Sequence, residues 1–233
     1  MIDKIIEMIE ESEKNGLYRE FPHDILSGYS GNKIIGSLQR LMSLYKDHKN
    51  VCYLEVVVYQ GLTLLSVAGE NPQIACFGID NFAYFDTNGK YYHTIEERKN
   101  LLYFSNANLI NEDYEDALEN LVKYIGEMEF GLYFIDGPHD YRSQLMCLQL
   151  IIPYLHKNAV IIVDDANYPH LKKANRDFLA TQSSLKLIFD VYITAHPLNM
   201  DSQSQGAIRR SWWNGVNIFA KDSNNVLEPI FPK

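Results

Sequence analysis

At 233 residues, with 46% hydrophobic and 22% charged side chains, the chain has the composition of one globular domain, far from disordered or collagen-like sequences. Its net charge of -9, with no basic run longer than Lys172-Lys173 or Arg209-Arg210, lacks the cationic footprint of a nucleic-acid binder. No apolar run approaches the roughly 20 residues of a membrane-spanning helix. With MIDKIIEMIEESEK reading as an acidic amphipathic helix rather than a signal peptide, a cytoplasmic protein is expected, and Cys52, Cys76 and Cys147, in apolar stretches without CxxC spacing, are expected to be reduced core residues.

In chain order, residues 1–50 read as an N-terminal helical extension. MIDKIIEMIEESEK is an acidic amphipathic pattern, and a second helix follows the turn-rich Ser27-Gly28-Tyr29-Ser30-Gly31. These helices are expected to pack outside the sheet and are a candidate homodimer surface. Residues 51–233 alternate apolar runs with helical patterns, the signature of βα units on a parallel sheet, and the whole chain is read as one folded domain. The predicted strands are 51–58, 73–79, 108–110, 131–135, 159–163, 186–193 and 215–220. Several are apolar at consecutive positions, as strands covered by helices on both faces are. The predicted helices are 62–70, 94–104, 115–125, 141–155 and 169–181, with Pro153 ending or kinking the fourth. No helical pattern separates the last two strands, which are expected to pair antiparallel across the 194–213 loop.

In an open α/β sheet ligands bind beyond the carboxyl ends of the strands, so polar residues just after strands are the informative ones. Asp80 ends the second strand, Asp136 the fourth, and Asp164 and Asp165 the fifth; Glu55 lies within the first. A carboxylate after the second strand suits a ribose, accepting hydrogen bonds from both vicinal hydroxyls, and equally suits a helix or turn cap. The Asp164-Asp165 pair likewise reads either as a ligand set or as a solvated cap of the next helix.

LEVVVYQG followed by GID, and FIDGPHDY followed by IIVDDANY, resemble the class I S-adenosylmethionine-dependent methyltransferases, nearest the macrocin and catechol O-methyltransferase types. The resemblance covers about residues 51–180. It implies a Rossmann-like, mostly parallel seven-stranded α/β sheet of order 3-2-1-4-5-7-6, the last strand antiparallel, with helices on both faces. It implies methyl transfer from S-adenosylmethionine to a hydroxyl of a small molecule, such as a sugar or natural-product intermediate. Cofactor binding then falls to Glu55, Val57, Tyr59, Gly61, Asp80, Asn81, Asp113 and Asp136. Asp136, Asp164 and Asp165 become ligands of a divalent ion, Mg²⁺ by the all-oxygen set. Asp136 and His139 become the catalytic pair, His139 acting as general base from an imidazole that is neutral at working pH.

The chain departs from the pattern at Val57, which stands where the first motif has its first glycine. A β-branched side chain there obstructs the methionine end of the cofactor or forces the loop to rearrange. Asn158-Ala159 replaces the usual Gly-Gly before the fifth strand. The Val57 departure supports an alternative, a non-catalytic binding or scaffold protein on the same fold. A dinucleotide-dependent oxidoreductase is disfavoured, because no G-x-G-x-x-G follows any strand. The segments 82–92 and 194–213, with Trp212 and Trp213, are candidates for the acceptor pocket and its lid.

Overall fold

In the computed structural model, residues 1–83, 86, 88–193 and 209–228 are described. Seven strands form one sheet: β1 (Val51–Val56), β2 (Cys76–Ile79), β3 (Ala107–Ile110), β4 (Glu129–Ile135), β5 (Leu155–Val163), β6 (Leu185–Tyr192) and β7 (Gly215–Lys221). Their order is β3-β2-β1-β4-β5-β7-β6, with β7 antiparallel to both neighbours and all other pairs parallel, as expected.

Both faces of the sheet are covered, and strand periodicity divides the core accordingly. Tyr53, Leu132, Phe134, Val160 and Ile162 belong to one apolar cluster; Cys52, Leu54, Val56, Tyr133, Ile135, Ile161 and Val163 belong to the other. On the first face lie α1 (Ile2–Asn15), α2 (Asn32–Ser43), α3 (Leu62–Glu70) and α4 (Lys90–Leu101), through residues such as Ile5, Leu38, Leu65 and Ile95. On the second lie α5 (Tyr114–Glu119), α6 (Val122–Ile125), α7 (Tyr141–Leu150) and α8 (Pro169–Thr181), through Leu118, Ile125, Leu148 and Phe178. The N-terminal helices thus share a continuous core with the sheet: Ile5, Ile34 and Leu38 are fully buried. Cys52, Cys76 and Cys147 are free and buried. Among the described residues no helix is long and apolar enough to cross a membrane.

Three helices differ from expectation. The helix expected over 115–125 is two, α5 and α6, interrupted at Asn120, whose side-chain amide donates to Asp116 C=O. The one expected over 94–104 begins earlier, at Lys90. Gly89 enters the left-handed region at φ 66° and Asp86 accepts the Lys90 and Tyr91 N–H groups, capping the helix there. The one expected over 141–155 stops at Leu150, and Pro153 falls in a 3-10 turn, Ile152–Tyr154, from which β5 starts directly.

Candidate active site

Residues 57–61 join β1 to α3 at the carboxyl edge of the sheet. Tyr59 (φ 53°) and Gly61 (φ 81°) both occupy the left-handed region, and Gly61 caps α3 by accepting Leu65 N–H. Val57 is half-buried and packs against the second core face. The loop is held chiefly by Asp80, at the end of β2: its Oδ2 accepts the N–H of Val58 (3.0 Å) and Tyr59 (2.9 Å), and its Oδ1 that of Phe82 (2.7 Å). Burial raises the Asp80 carboxyl above its usual range, against the pull of those three N–H groups. Over the loop lies an aromatic cover in which Tyr59 meets Tyr91 (ring centroids 4.9 Å) and Tyr29 (5.5 Å), and Tyr29 meets Trp213 (6.3 Å).

Glu55 does not reach the sheet edge. It is fully buried within β1 and accepts hydrogen bonds from Tyr53 Oη (2.7 Å) and Thr63 Oγ1 (3.1 Å). Burial pushes its carboxyl up to about 8 despite these donors. Asn81 and Asp113 meet beyond β2 and β3, Asn81 Nδ2 lying 3.4 Å from Asp113 Oδ2, while Asp113 Oδ1 caps α5 at Glu115 N–H.

Beyond β4 and β5 three titratable side chains converge. His139 Nε2 lies 2.7 Å from Asp165 Oδ2 and 3.9 Å from Asp136 Oδ1. The candidate ligand atoms of Asp136, His139 and Asp165 all fall within 4.8 Å of one another. The sheet ladder places the two carboxylates: Asp136 N–H donates to Val56 C=O, and Asp164 N–H to Ile135 C=O. The chain then turns through the left-handed region at Asp165 (φ 52°). That turn presents Asp165 to His139, while Asp164, buried, accepts the Asp165 N–H at 2.8 Å and stays outside the group. The predicted carboxylate set is therefore brought together only in part, and His139 stands where Asp164 was expected.

Residues the sequence did not single out complete the arrangement. Asn214, buried at the start of β7, donates to Asp165 Oδ1 at 2.5 Å. Tyr168 stacks on the His139 ring at 5.5 Å and 22°, and His170 Nε2 donates to His139 C=O at 2.7 Å. Tyr168 ends the IIVDDANY stretch and could have been read as part of it; no local signal marks Asn214.

The electrostatics revise the expectation that His139 is neutral. Burial lowers its affinity for a proton, but hydrogen bonds to Asp136 and Asp165 outweigh burial and raise it to about 10. The two carboxylates thus favour the protonated imidazole. Asp136 is raised chiefly by burial, and Asp164 well above its usual range by burial and by its acidic neighbours.

Of the two segments expected to form the acceptor pocket, Tyr84, Phe85, Thr87 and residues 194–208 lie outside the described residues. A cavity of about 240 Å³ does occur elsewhere, between Leu17–Asn32, Ile35, Leu62, Ser66 and Arg209; none of the clustered carboxylates lines it.

Residues 54–166 match a family model described as a methyltransferase domain. Solved structures with the same fold include the calicheamicin methyltransferase CalS11 (17% identity, 82% of this chain and 89% of that one, TM-score 0.54). They also include the SAH-bound methyltransferase PaMTH1 of Podospora anserina (15%, 94% and 88%, 0.55) and the O-methyltransferase of Bacillus cereus in complex with SAH (10%, 94% and 90%, 0.56). No match is found among curated proteins. The match gives residues 54–166 a methyltransferase domain, and the sheet around it has the order β3-β2-β1-β4-β5-β7-β6 that the resemblance implies.

Proposed function

We propose that this enzyme transfers the methyl group of S-adenosylmethionine to a hydroxyl of a small molecule in the cytosol, with divalent-ion assistance. The observation that carries this reading is the convergence of Asp136, His139 and Asp165 beyond β4 and β5, beside the loop held by Asp80, on a methyltransferase fold. Three reduced, buried cysteines accord with a cytosolic setting.

The residues fit both groups. Asp80 offers about four acceptor sites, of which three are taken by backbone N–H groups, leaving one for a ribose hydroxyl. Asn81 and Asp113 flank it on the adenine side. Asp136 and Asp165 supply hard oxygen donors, the kind Mg²⁺ prefers, within 4.8 Å of one another, and would hold such an ion. When bound, S-adenosylmethionine supplies an electrophilic sulfonium methyl, and the ion supplies positive charge for the ionising hydroxyl.

The chain's own groups then have distinct tasks. Asp136 and Asp165 would hold the ion, Asn214 fixes the Asp165 rotamer, and His139 Nε2 would receive the hydroxyl proton. A bound ion would compensate the two carboxylates that raise His139, which would leave the imidazole able to accept a proton at neutral pH. Tyr168 keeps the ring in plane. The scaffold alternative draws on Val57 at the position of the motif's first glycine, and on the engagement of Asp80 by three N–H groups of its own chain.

Calorimetry with S-adenosylmethionine and SAH, with and without Mg²⁺, tests the cofactor; no binding at millimolar concentration would favour the scaffold. Turnover surviving excess EDTA would remove the ion from the mechanism. His139→Ala should lower kcat by ~10²–10⁴ with SAH affinity unchanged.

A further inference from the structure

The β1–α3 loop lacks the first glycine of its motif, yet it is held on two sides. Asp80 takes the Val58 and Tyr59 N–H groups from the β2 side. From the other side comes one stripe of α4. Tyr91, Ile95 and Arg98 lie at spacings of four and three, which places them on one helical face. Each meets a different loop residue. The Tyr91 ring packs edge-on against Tyr59 at 4.9 Å. Ile95 closes on Gly61 so tightly that a β-carbon there would lie 3.1 Å from its Cγ1. Arg98 Nη1 donates to Gln60 C=O at 2.6 Å and to Ser27 C=O at 3.0 Å, while Nη2 donates to Ser27 Oγ at 3.2 Å.

Arg98 is the unusual member. It is half-buried, burial lowers its affinity for a proton, and it enters none of the ion pairs among the described residues. A guanidinium desolvated without a carboxylate partner gains little from charge pairing. What it does gain is a bridge: Nη1 alone donates to carbonyls from segments 33 residues apart, one in the N-terminal extension and one in the loop, and Nη2 adds the Ser27 hydroxyl. A lysine at this position has a single nitrogen and lacks the second arm that reaches the Ser27 hydroxyl.

We infer that Arg98 is a positioning residue for cofactor binding, tying the 57–61 loop to Ser27 from α4. The inference rests on the methyltransferase reading for its cofactor arm and on the free protein for its loop arm. Arg98 touches no reacting group. Its loss frees the loop and leaves the chemistry of Asp136 and His139 intact.

Amide hydrogen exchange by NMR on the free protein, and SAH calorimetry, compare wild type with Arg98→Met, Arg98→Lys and Ser27→Ala. In Arg98→Met, exchange at Val58, Tyr59 and Gly61 is expected to rise at least tenfold while β4 and β5 amides are unchanged; a general loss of stability would raise both. Affinity for SAH should fall roughly ten- to hundredfold, KM for S-adenosylmethionine should rise in parallel, and kcat should stay within a few-fold. Arg98→Lys should recover only part, Ser27→Ala should lose less, and methylguanidinium added to Arg98→Ala should restore loop protection. Unchanged loop exchange in Arg98→Met overturns the inference, as does faster exchange spread evenly over the sheet. If wild type fails to bind SAH, the methyltransferase reading fails, and the exchange measurement still decides the role of Arg98 in the loop.

Discussion

Replacing Glu55 by Gln should stabilise the protein, and increasingly so as pH rises. Glu55 is fully buried, and its carboxyl is displaced from 4.5 to about 8 by that burial. An acid raised in the folded state binds more protons there than when unfolded, so its contribution is fully present below pH 4.5 and is lost as pH climbs towards 8. The displacement sets an upper limit of ~5 kcal/mol on the resulting penalty at high pH. Relaxation around a buried charge reduces this to ~2–3 kcal/mol. Gln preserves the volume and meets both hydroxyls: its carbonyl accepts from one, and its amide donates to the other. Urea unfolding of wild type and Glu55→Gln at pH 5, 7 and 9 measures the effect. The two should agree within ~1 kcal/mol at pH 5 and differ by ~2–3 kcal/mol in favour of the variant at pH 9. A difference that does not change with pH would refute the argument that burial, rather than a compensating partner, governs Glu55.

Ser37 is fully buried on α2 and its Oγ has no hydrogen-bond partner among the described residues, so Ser37→Ala should stabilise by ~1 kcal/mol in the same urea assay. At Gly36 a β-carbon would lie 2.8 Å from the Gly16 carbonyl carbon and 2.7 Å from Arg40 Nη1; Gly36→Ala should cost ~1–3 kcal/mol, read as a lowered Tm. Asp80→Ala frees three N–H groups of the cofactor loop and removes the ribose acceptor, so SAH binding by calorimetry should weaken by ~1–3 kcal/mol.

The strands were legible because parallel strands buried on both faces carry uninterrupted apolar runs, and α3 and α8 have the expected bounds because Gly61 and Pro169 mark their starts. The split between α5 and α6 was not, since one side-chain hydrogen bond at Asn120 decides it. The positions of Asp136 and His139 followed from strand ends and motif spacing. Which of two adjacent aspartates faces His139 depends on the left-handed turn at Asp165, a backbone choice that Asp tolerates and does not announce. Asn214 reaches Asp165 across 49 residues of chain because β7 returns between β5 and β6, a long-range event with no local trace. Arg98 escaped notice because a single arginine on a polar helix looks like ordinary surface.

The place of β7 sets an order on biosynthesis. β6 pairs with β7, and the free side of β5 is also covered by β7. A nascent chain that has emerged only as far as residue 192 exposes one open strand edge on β5 and leaves β6 without a pairing partner. Such edges recruit other chains. A chain truncated within residues 193–213 should therefore be an aggregation-prone species that also lacks Asn214 beside Asp165, so sheet closure and site assembly depend on the same late segment.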